Sequence, residues 1–336
     1  MQPFEKEHAI VRDLPVGMAY DGTQPFSVWQ ASAREKLADL LGMARFTPCE
    51  ALSQIEWERA SDAFDEIRFT FQSEPDYRVP CHLLIPHEVR NAGVMVCLQG
   101  HSTGMHISLG RAKCEGDEAK IAGGDRDFAL QCVRHGICCV TLEQRCFGEK
   151  GGKPNPDCYG SAMTALLAGR TLLGARVWDV MRLIDVLKAE FFDRCDTSRF
   201  YSMGNSGGGT ATFYAAALDT RIAAAMPSCA FCTYADSIGS MYHCACNFVP
   251  GIRSFFDMAE LAAMIAPRPL VIVSGAQDGI FPLAGAQAEF ARLKEYYTAA
   301  NAADNCVHVI GEAGHRFYAD AAWPAFFKLT QGEIVC

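Results

Sequence analysis

The chain has no run of like charges. Its 30 lysines and arginines and 39 acidic residues give a formal net charge of -9, with no long block of either sign. That balance leaves no electrostatic footprint for nucleic acid and no attraction to an anionic membrane. Uninterrupted apolar stretches long enough to span a bilayer are also missing. The first residues, "MQPFEKEHAIVRDLP", mix acids and bases around no apolar core run, unlike a secretory signal. The expectation is a cytoplasmic protein, a trimmed leader aside. There is no internal repeat and no low-complexity linker.

What is present fits a soluble globular chain. It has 336 residues, half of them hydrophobic, and a mean hydropathy near zero. That length suits one large α/β domain or two ordinary ones. Cysteine is abundant, with 16 residues. Many lie inside apolar runs, such as Cys97 in "GVMVCL" and Cys138 and Cys139 in "GICCVTL". They read as buried, reduced thiols acting as small hydrophobes.

Residues 1–60 are expected to form an N-terminal helical arm, with one amphipathic helix near "VWQASAREKLADLLGM". "EIRFTFQSEP" and "YRVPCHLLIP" flank a polar turn and predict a β-hairpin. Beyond it, short apolar runs at 93–98, 137–142, 199–204, 221–227, 269–275 and 306–311 alternate with helical stretches. That alternation predicts a doubly wound, mostly parallel sheet with helices on both faces, so residues 61–336 read as one α/β domain. Two insertions break the pattern. Residues 101–123 form a polar loop after the first central strand. Residues 229–262 form a small cap, including Tyr242–Gly251, above the C-terminal strand ends, where open α/β sheets bind ligands.

The chemistry starts at "YSMGNSGGGTATFYAAAL". It contains G-x-S-x-G as Gly204-Asn205-Ser206-Gly207-Gly208, a pattern that arises by chance in roughly one chain in ten of this length. A strand precedes Ser206 and a helix follows, the setting of a nucleophile elbow. Gly204 and Gly208 relieve clashes across the sharp turn, and the Gly207 N–H faces a developing oxyanion. A phosphate loop would need Lys-Ser/Thr after the glycines; Thr210 and Ala211 stand there instead. A nucleophilic serine needs a base, and the base an orienting acid. Asp278, in "VSGAQDGIFP", and His315, in "IGEAGHRFY", each follow a later strand and complete the order Ser-Asp-His. The second oxyanion donor is expected from "LQGHSTG", as the N–H of His101 or alternatively of Ser102.

The chain resembles the α/β-hydrolase superfamily, and within it the acetyl xylan esterase and cephalosporin-C deacetylase-like group related to dienelactone hydrolases. The resemblance runs from about residue 30 onward and rests on "FQSEPDYRVPCHLLIP", "LQGHSTG", "LEQRCFGEKGG", "MGNSGGGTATFYAAALDTRIAAAMPSC", "HCACNFVPGI", "MAELAAMIAPRPLVIVSGAQDGIFP" and "GEAGHRFY". It implies the triad Ser206, Asp278 and His315. Where many relatives begin the oxyanion loop with His-Gly, this chain has Gln99-Gly100. A serine nucleophile, in place of the cysteine of dienelactone hydrolases proper, implies an ordinary esterase. Its expected partner is a small-molecule or oligosaccharide ester. Neither a metal nor an organic cofactor is required, and the oligomeric state stays open.

Other residues near the strand ends are candidate substrate contacts: Gln99, Ser102, Glu143, Arg145 and His243. For Glu143 and Arg145 the competing reading is an ion pair with the helix carrying Asp179 and Arg182. His243-Cys244-Ala245-Cys246 invites a metal, but C-x-C is tight for one tetrahedral ion and no fourth ligand is evident. Two other functions compete with an esterase. A prolyl-oligopeptidase-like peptidase usually carries a large gating domain, for which this chain has no room. A non-catalytic binding protein of the same fold would not need all three triad residue types.

Overall fold

The structure is a computed structural model that describes residues 2–50, 52–101, 103–151 and 158–332. Among the described residues, nine strands form one sheet in the order β1-β2-β3-β5-β4-β6-β7-β8-β9. They are β1 Ser53–Ala60, β2 Phe64–Glu74, β3 Tyr77–Pro86, β4 Asn91–Leu98, β5 Ile137–Leu142, β6 Phe200–Asn205, β7 Ile222–Ser228, β8 Leu270–Gly275 and β9 Cys306–Gly311. The expected hairpin is β2 and β3, paired antiparallel. From β5 to β9 every neighbouring pair is parallel.

Alternation along the strands sorts their side chains onto two cores. Val94, Val96 and Leu98 of β4 join one cluster; Met95 and Cys97 join the other. Cys138 and Cys139 of β5 divide in the same way, as a strand period of two requires. Helices α2 (Phe26–Leu41), α7 (Leu172–Glu190), α8 (Gly207–Leu218), α9 (Met258–Ala263) and α10 (Leu283–Ala299) cover the first face. Helices α5 (Phe128–Arg134) and α11 (Ala319–Thr330) cover the second. Every described cysteine is free, and Cys97, Cys138 and Cys139 are buried as expected. Among the described residues no helix is long and apolar enough to cross a membrane.

The N-terminal segment departs from a helical arm. It does hold α1 (Pro3–Asp13) and α2, but residues 53–60 form the edge strand β1. Trp29, Ala33, Leu37 and Leu41 of α2 are buried in the main core. A boundary at residue 60 therefore cuts through one sheet. The strand was hidden because nearly all of β1 is exposed or half exposed. Backbone pairing with β2 holds it, and its only apolar alternation, Ile55 and Trp57 between polar neighbours, is too short to mark a strand by itself. The 101–123 loop likewise contains two short helices, α3 (Met105–Ser108) and α4 (Asp117–Ile121).

The backbone is closely packed where β6 turns into α8. A Cβ on Gly208 would stand 2.2 Å from the Leu98 carbonyl oxygen and 2.6 Å from that of Gln99; one on Gly204 would stand 2.6 Å from the Gly208 carbonyl carbon. Both neighbours are backbone and cannot swing away. Gly208→Ala and Gly204→Ala are each expected to destabilise the chain by about 1–3 kcal/mol or more in urea unfolding. Gly279→Ala, with nothing within 4 Å of the added carbon, is expected to stay within about 0.5 kcal/mol of wild type.

Candidate active site

Every candidate site element hangs from the C-terminal end of a parallel strand. Ser206 follows β6, Asp278 follows β8, His315 follows β9, the Gln99–His101 loop follows β4 and Glu143 follows β5. A parallel sheet brings these ends to one edge, so residues more than 200 positions apart become neighbours.

Ser206 has φ 57° and ψ -124°, a conformation rare for a side-chain-bearing residue. Its N–H donates to the Ser228 carbonyl at 2.8 Å and its carbonyl accepts from Thr210 N–H at 2.8 Å. These bonds clamp the strained residue between β7 and the first turn of α8. Gly209 packs that helix closely onto β7: a Cβ there would meet the Ser228 carbonyl at 2.6 Å. The N–H groups of Gly207 and His101 have no acceptor among the described residues.

The Gly100 backbone lies against Ser206, and a Cβ on Gly100 would be 3.1 Å from that of Ser206. Next along the loop, the His101 ring covers Gly207, whose added Cβ would stand 2.6 Å from His101 Cε1. Ser102 lies outside the described residues.

On the other side of the elbow, His315 Nδ1 is 2.8 Å from Asp278 Oδ2. The other carboxylate oxygen accepts from the N–H groups of Ile280 and Phe281 at 2.8 and 3.1 Å. Burial works against the Asp278 charge, but the His315 bond and charge and these two amides outweigh it, and its pKa falls below the ordinary value. Phe281 stacks on the His315 ring with centroids 6.1 Å apart. His243 meets Phe281 edge-on at 5.6 Å. Burial, with the charges of His101 and His315, lowers the His243 pKa.

Several residues at this edge carry no signal in the sequence. The half-buried Arg126 donates to the His315 carbonyl at 3.5 Å. With its oxygen turned toward Arg126, the Asn205 amide bonds Arg126 Nη2 and Ser228 Oγ, each at 3.0 Å. Cys229 lies close to both Asp278 and His315. Cys229 and Cys232 are spaced C-x-x-C, yet their sulfurs turn to different carbonyls, those of Arg316 and Pro282.

Three expected substrate contacts are engaged in holding the loops. The buried Gln99 amide donates to Ser108 Oγ and to the Arg126 carbonyl. Arg145 is committed to Asp179 and Glu74. This is the ion pair weighed for it, with Glu74 added and with Arg182 turned instead to Asp185. Glu143 makes no ion pair with that helix. Its two oxygens accept from Met105 N–H at 3.1 Å and Glu149 N–H at 3.0 Å. It joins the loop after β4 to the loop after β5.

The cap brings together thiols that are far apart in the chain. His101, Cys158, Cys244 and Cys246 place one ligand atom each within 4.8 Å of one another. His243, the imidazole weighed with these thiols from the sequence, turns instead to Ser237 and Asn247. Cys158 stands 86 residues before Cys244, so no spacing rule could have joined them.

The acetyl xylan esterase (AXE1) family profile matches residues 119–245. A Bacillus subtilis (strain 168) protein named as a hydrolase, YtaP, is 24% identical over 247 residues, which is 71% of this chain and 78% of that protein. Solved structures share the fold. A Bacteroides fragilis protein described as an acetyl xylan esterase superposes with a TM-score of 0.75 at 16% identity, covering 98% of this chain and 89% of its own. A glucuronoyl esterase from Teredinibacter turnerae superposes with a TM-score of 0.68 at 17% identity, covering 98% and 91%.

Burial pushes the Glu143 carboxyl from 4.5 up to about 7, against the pull of its two amide donors. Across that interval the folded chain keeps a proton that the unfolded chain has released. The contribution of Glu143 to stability is therefore full at low pH and is lost as pH rises through about 7. In urea unfolding the advantage of wild type over Glu143→Gln is expected to shrink between about pH 5 and about pH 8. An advantage that grows with pH would mean that the folded chain favours the carboxylate.

Proposed function

We propose that this chain, an α/β-hydrolase-fold protein with an acetyl xylan esterase match, is a serine carboxylic-ester hydrolase. Its proposed substrates are short-acyl esters such as acetylated carbohydrates. The observation that supports this best is the Asp278–His315 pair, 2.8 Å apart, on the sheet edge that also carries a strained Ser206 at a strand-to-helix turn. The relatives named as acetyl xylan and glucuronoyl esterases support a carbohydrate ester over other esters.

In this reading His315 takes the Ser206 proton as Ser206 Oγ attacks the ester carbonyl. Asp278, accepting from His315 Nδ1–H, fixes the tautomer that leaves Nε2 free as a base and stabilises the imidazolium that forms. The Gly207 and His101 N–H groups receive the oxyanion. Both are backbone donors at a helix start or tight loop, and neither is engaged elsewhere among the described residues. The imidazolium returns its proton to the departing alcohol. Water, activated by the same histidine, then hydrolyses the acyl-enzyme. His243, edge-on to Phe281, whose other ring neighbour is His315, is the proposed contact for the alcohol portion.

Wild type is expected to hydrolyse p-nitrophenyl acetate faster than longer acyl esters and to be labelled by a serine-directed phosphonate. Ser206→Ala should lose both properties, and Asp278→Asn should lower kcat by about 10⁴ through the wrong tautomer. Turnover that survives in Ser206→Ala would remove the serine from the mechanism. Cleavage of aminoacyl-anilides without esters would favour a peptidase, and a folded wild type inert to every ester and to the phosphonate would favour a binding protein.

A further inference from the structure

We propose that His101, Cys158, Cys244 and Cys246 form a structural binding site for one zinc ion, which fastens the candidate oxyanion loop to the cap.

The donor set fits the ion. One imidazole and three thiolates make a closed zinc shell, and all four ligand atoms lie within 4.8 Å of one another. His101 Nε2 is 2.8 Å from Cys246 Sγ, and the Cys244 and Cys246 sulfurs are 3.3 Å apart. In a tetrahedral site with Zn–S near 2.3 Å and Zn–N near 2.0 Å, ligand atoms sit about 3.5–3.8 Å from each other. Small side-chain rotations therefore suffice to receive the ion. The tight C-x-C spacing that argues against a site from the sequence is accommodated because a 3₁₀ turn at Ala245–Asn247 folds Cys246 back beside Cys244.

A second observation points to anionic sulfur. Arg176 is 1% exposed. Its guanidinium donates to Cys246 Sγ at 3.2 Å, to Cys158 Sγ at 3.5 Å and otherwise to the Arg145 carbonyl. It also lies over the Phe147 ring. Among the described residues no carboxylate bonds it. A cation this buried needs a counter-charge nearby. Three neutral thiols provide none. Three thiolates around a divalent ion carry a net charge of -1, which matches the single positive charge of Arg176.

Position gives the site its consequence. His101 follows β4, Cys158 opens α6 (Cys158–Leu167), and Cys244 and Cys246 belong to the cap. An ion bound by all four ties three separate segments together beside Ser206. It also fixes the His101 ring over Gly207 and so holds the His101 backbone N–H in place. His101 is thus a positioning residue as well as a candidate donor.

The test is metal content, which does not depend on whether the chain hydrolyses esters. Protein from zinc-supplemented culture, desalted under reducing conditions, is expected to carry one zinc per chain by elemental analysis. Cobalt(II)-exchanged wild type should show thiolate-to-cobalt charge-transfer absorption and the strong visible bands of a tetrahedral ion. Cys158→Ser and Cys246→Ser should lose the metal. Cys146→Ser, whose sulfur is adjacent but outside the set of four, should keep it. Wild type that holds far less than one equivalent and gives no cobalt charge-transfer band overturns the proposal, with no need for a variant to fold. So does a disulfide between any two of the three cysteines in freshly isolated protein, or full metal retention in Cys158→Ser.

Discussion

The structure depends on one close approach between two backbones. At the end of β4 the carbonyls of Leu98 and Gln99 press against the Cα of Gly208. Only a chain without side chains at Gly204 and Gly208 can turn there, and the turn forces Ser206 into positive φ at the rim of the sheet. The same contact draws the loop after β4 across the elbow, so that Gly100 lies on Ser206 and His101 lies on Gly207. Nucleophile candidate and oxyanion candidates are thus positioned by a single steric constraint. The conformational strain at Ser206 is sustained by hydrogen bonds from β7 and α8 on either side.

Around that contact the polar groups are divided by task. Asp278 spends both oxygens on its own loop and on His315. Glu143 spends both of its oxygens joining the loops after β4 and β5. Arg145, read from the sequence as a substrate contact or an ion-pair partner of the Asp179 helix, and Arg126, which the sequence did not single out, hold side-chain and backbone partners. The charged residues nearest the elbow are therefore framework. The half-exposed side chains they leave at this edge are Ser206, His315 and His243, beside the two backbone N–H groups.

The metal proposal links this framework to the cap. A sheet edge built only from loops would let the donor at His101 drift, because loops pack less tightly than strands. Coordination by Cys158, Cys244 and Cys246 would anchor it through the ring nitrogen Nε2. Arg176, buried on α7, would then be the counter-charge that makes three thiolates tolerable inside the protein. Hydrolysis itself needs no metal in this scheme; the ion acts only on geometry.

Much of the molecule was legible because apolar periodicity and turn chemistry are local. The six parallel strands, the β2–β3 hairpin and helices α2, α5, α7, α8, α10 and α11 appear as runs of suitable residues. The strand-to-helix setting of Ser206 and the strand-end positions of Asp278 and His315 follow from the same runs. Strand β1 was not legible, since an edge strand with no buried residue is held by backbone pairing and shows only Ile55 and Trp57 as alternating apolar positions. Nor were Arg126, Cys158 and the turning of Gln99 away from the edge, because each depends on which distant segments meet; the Arg145–Asp179 ion pair was among the sequence readings. By itself the sequence determined the parallel sheet, the sharp turn at Ser206 and the order of the three candidate catalytic residues, all properties of neighbouring side chains and strand period. Only the tertiary structure decided that His101 would meet three thiols from two other segments, because sequence spacing sets no distance between residues 101, 158 and 244.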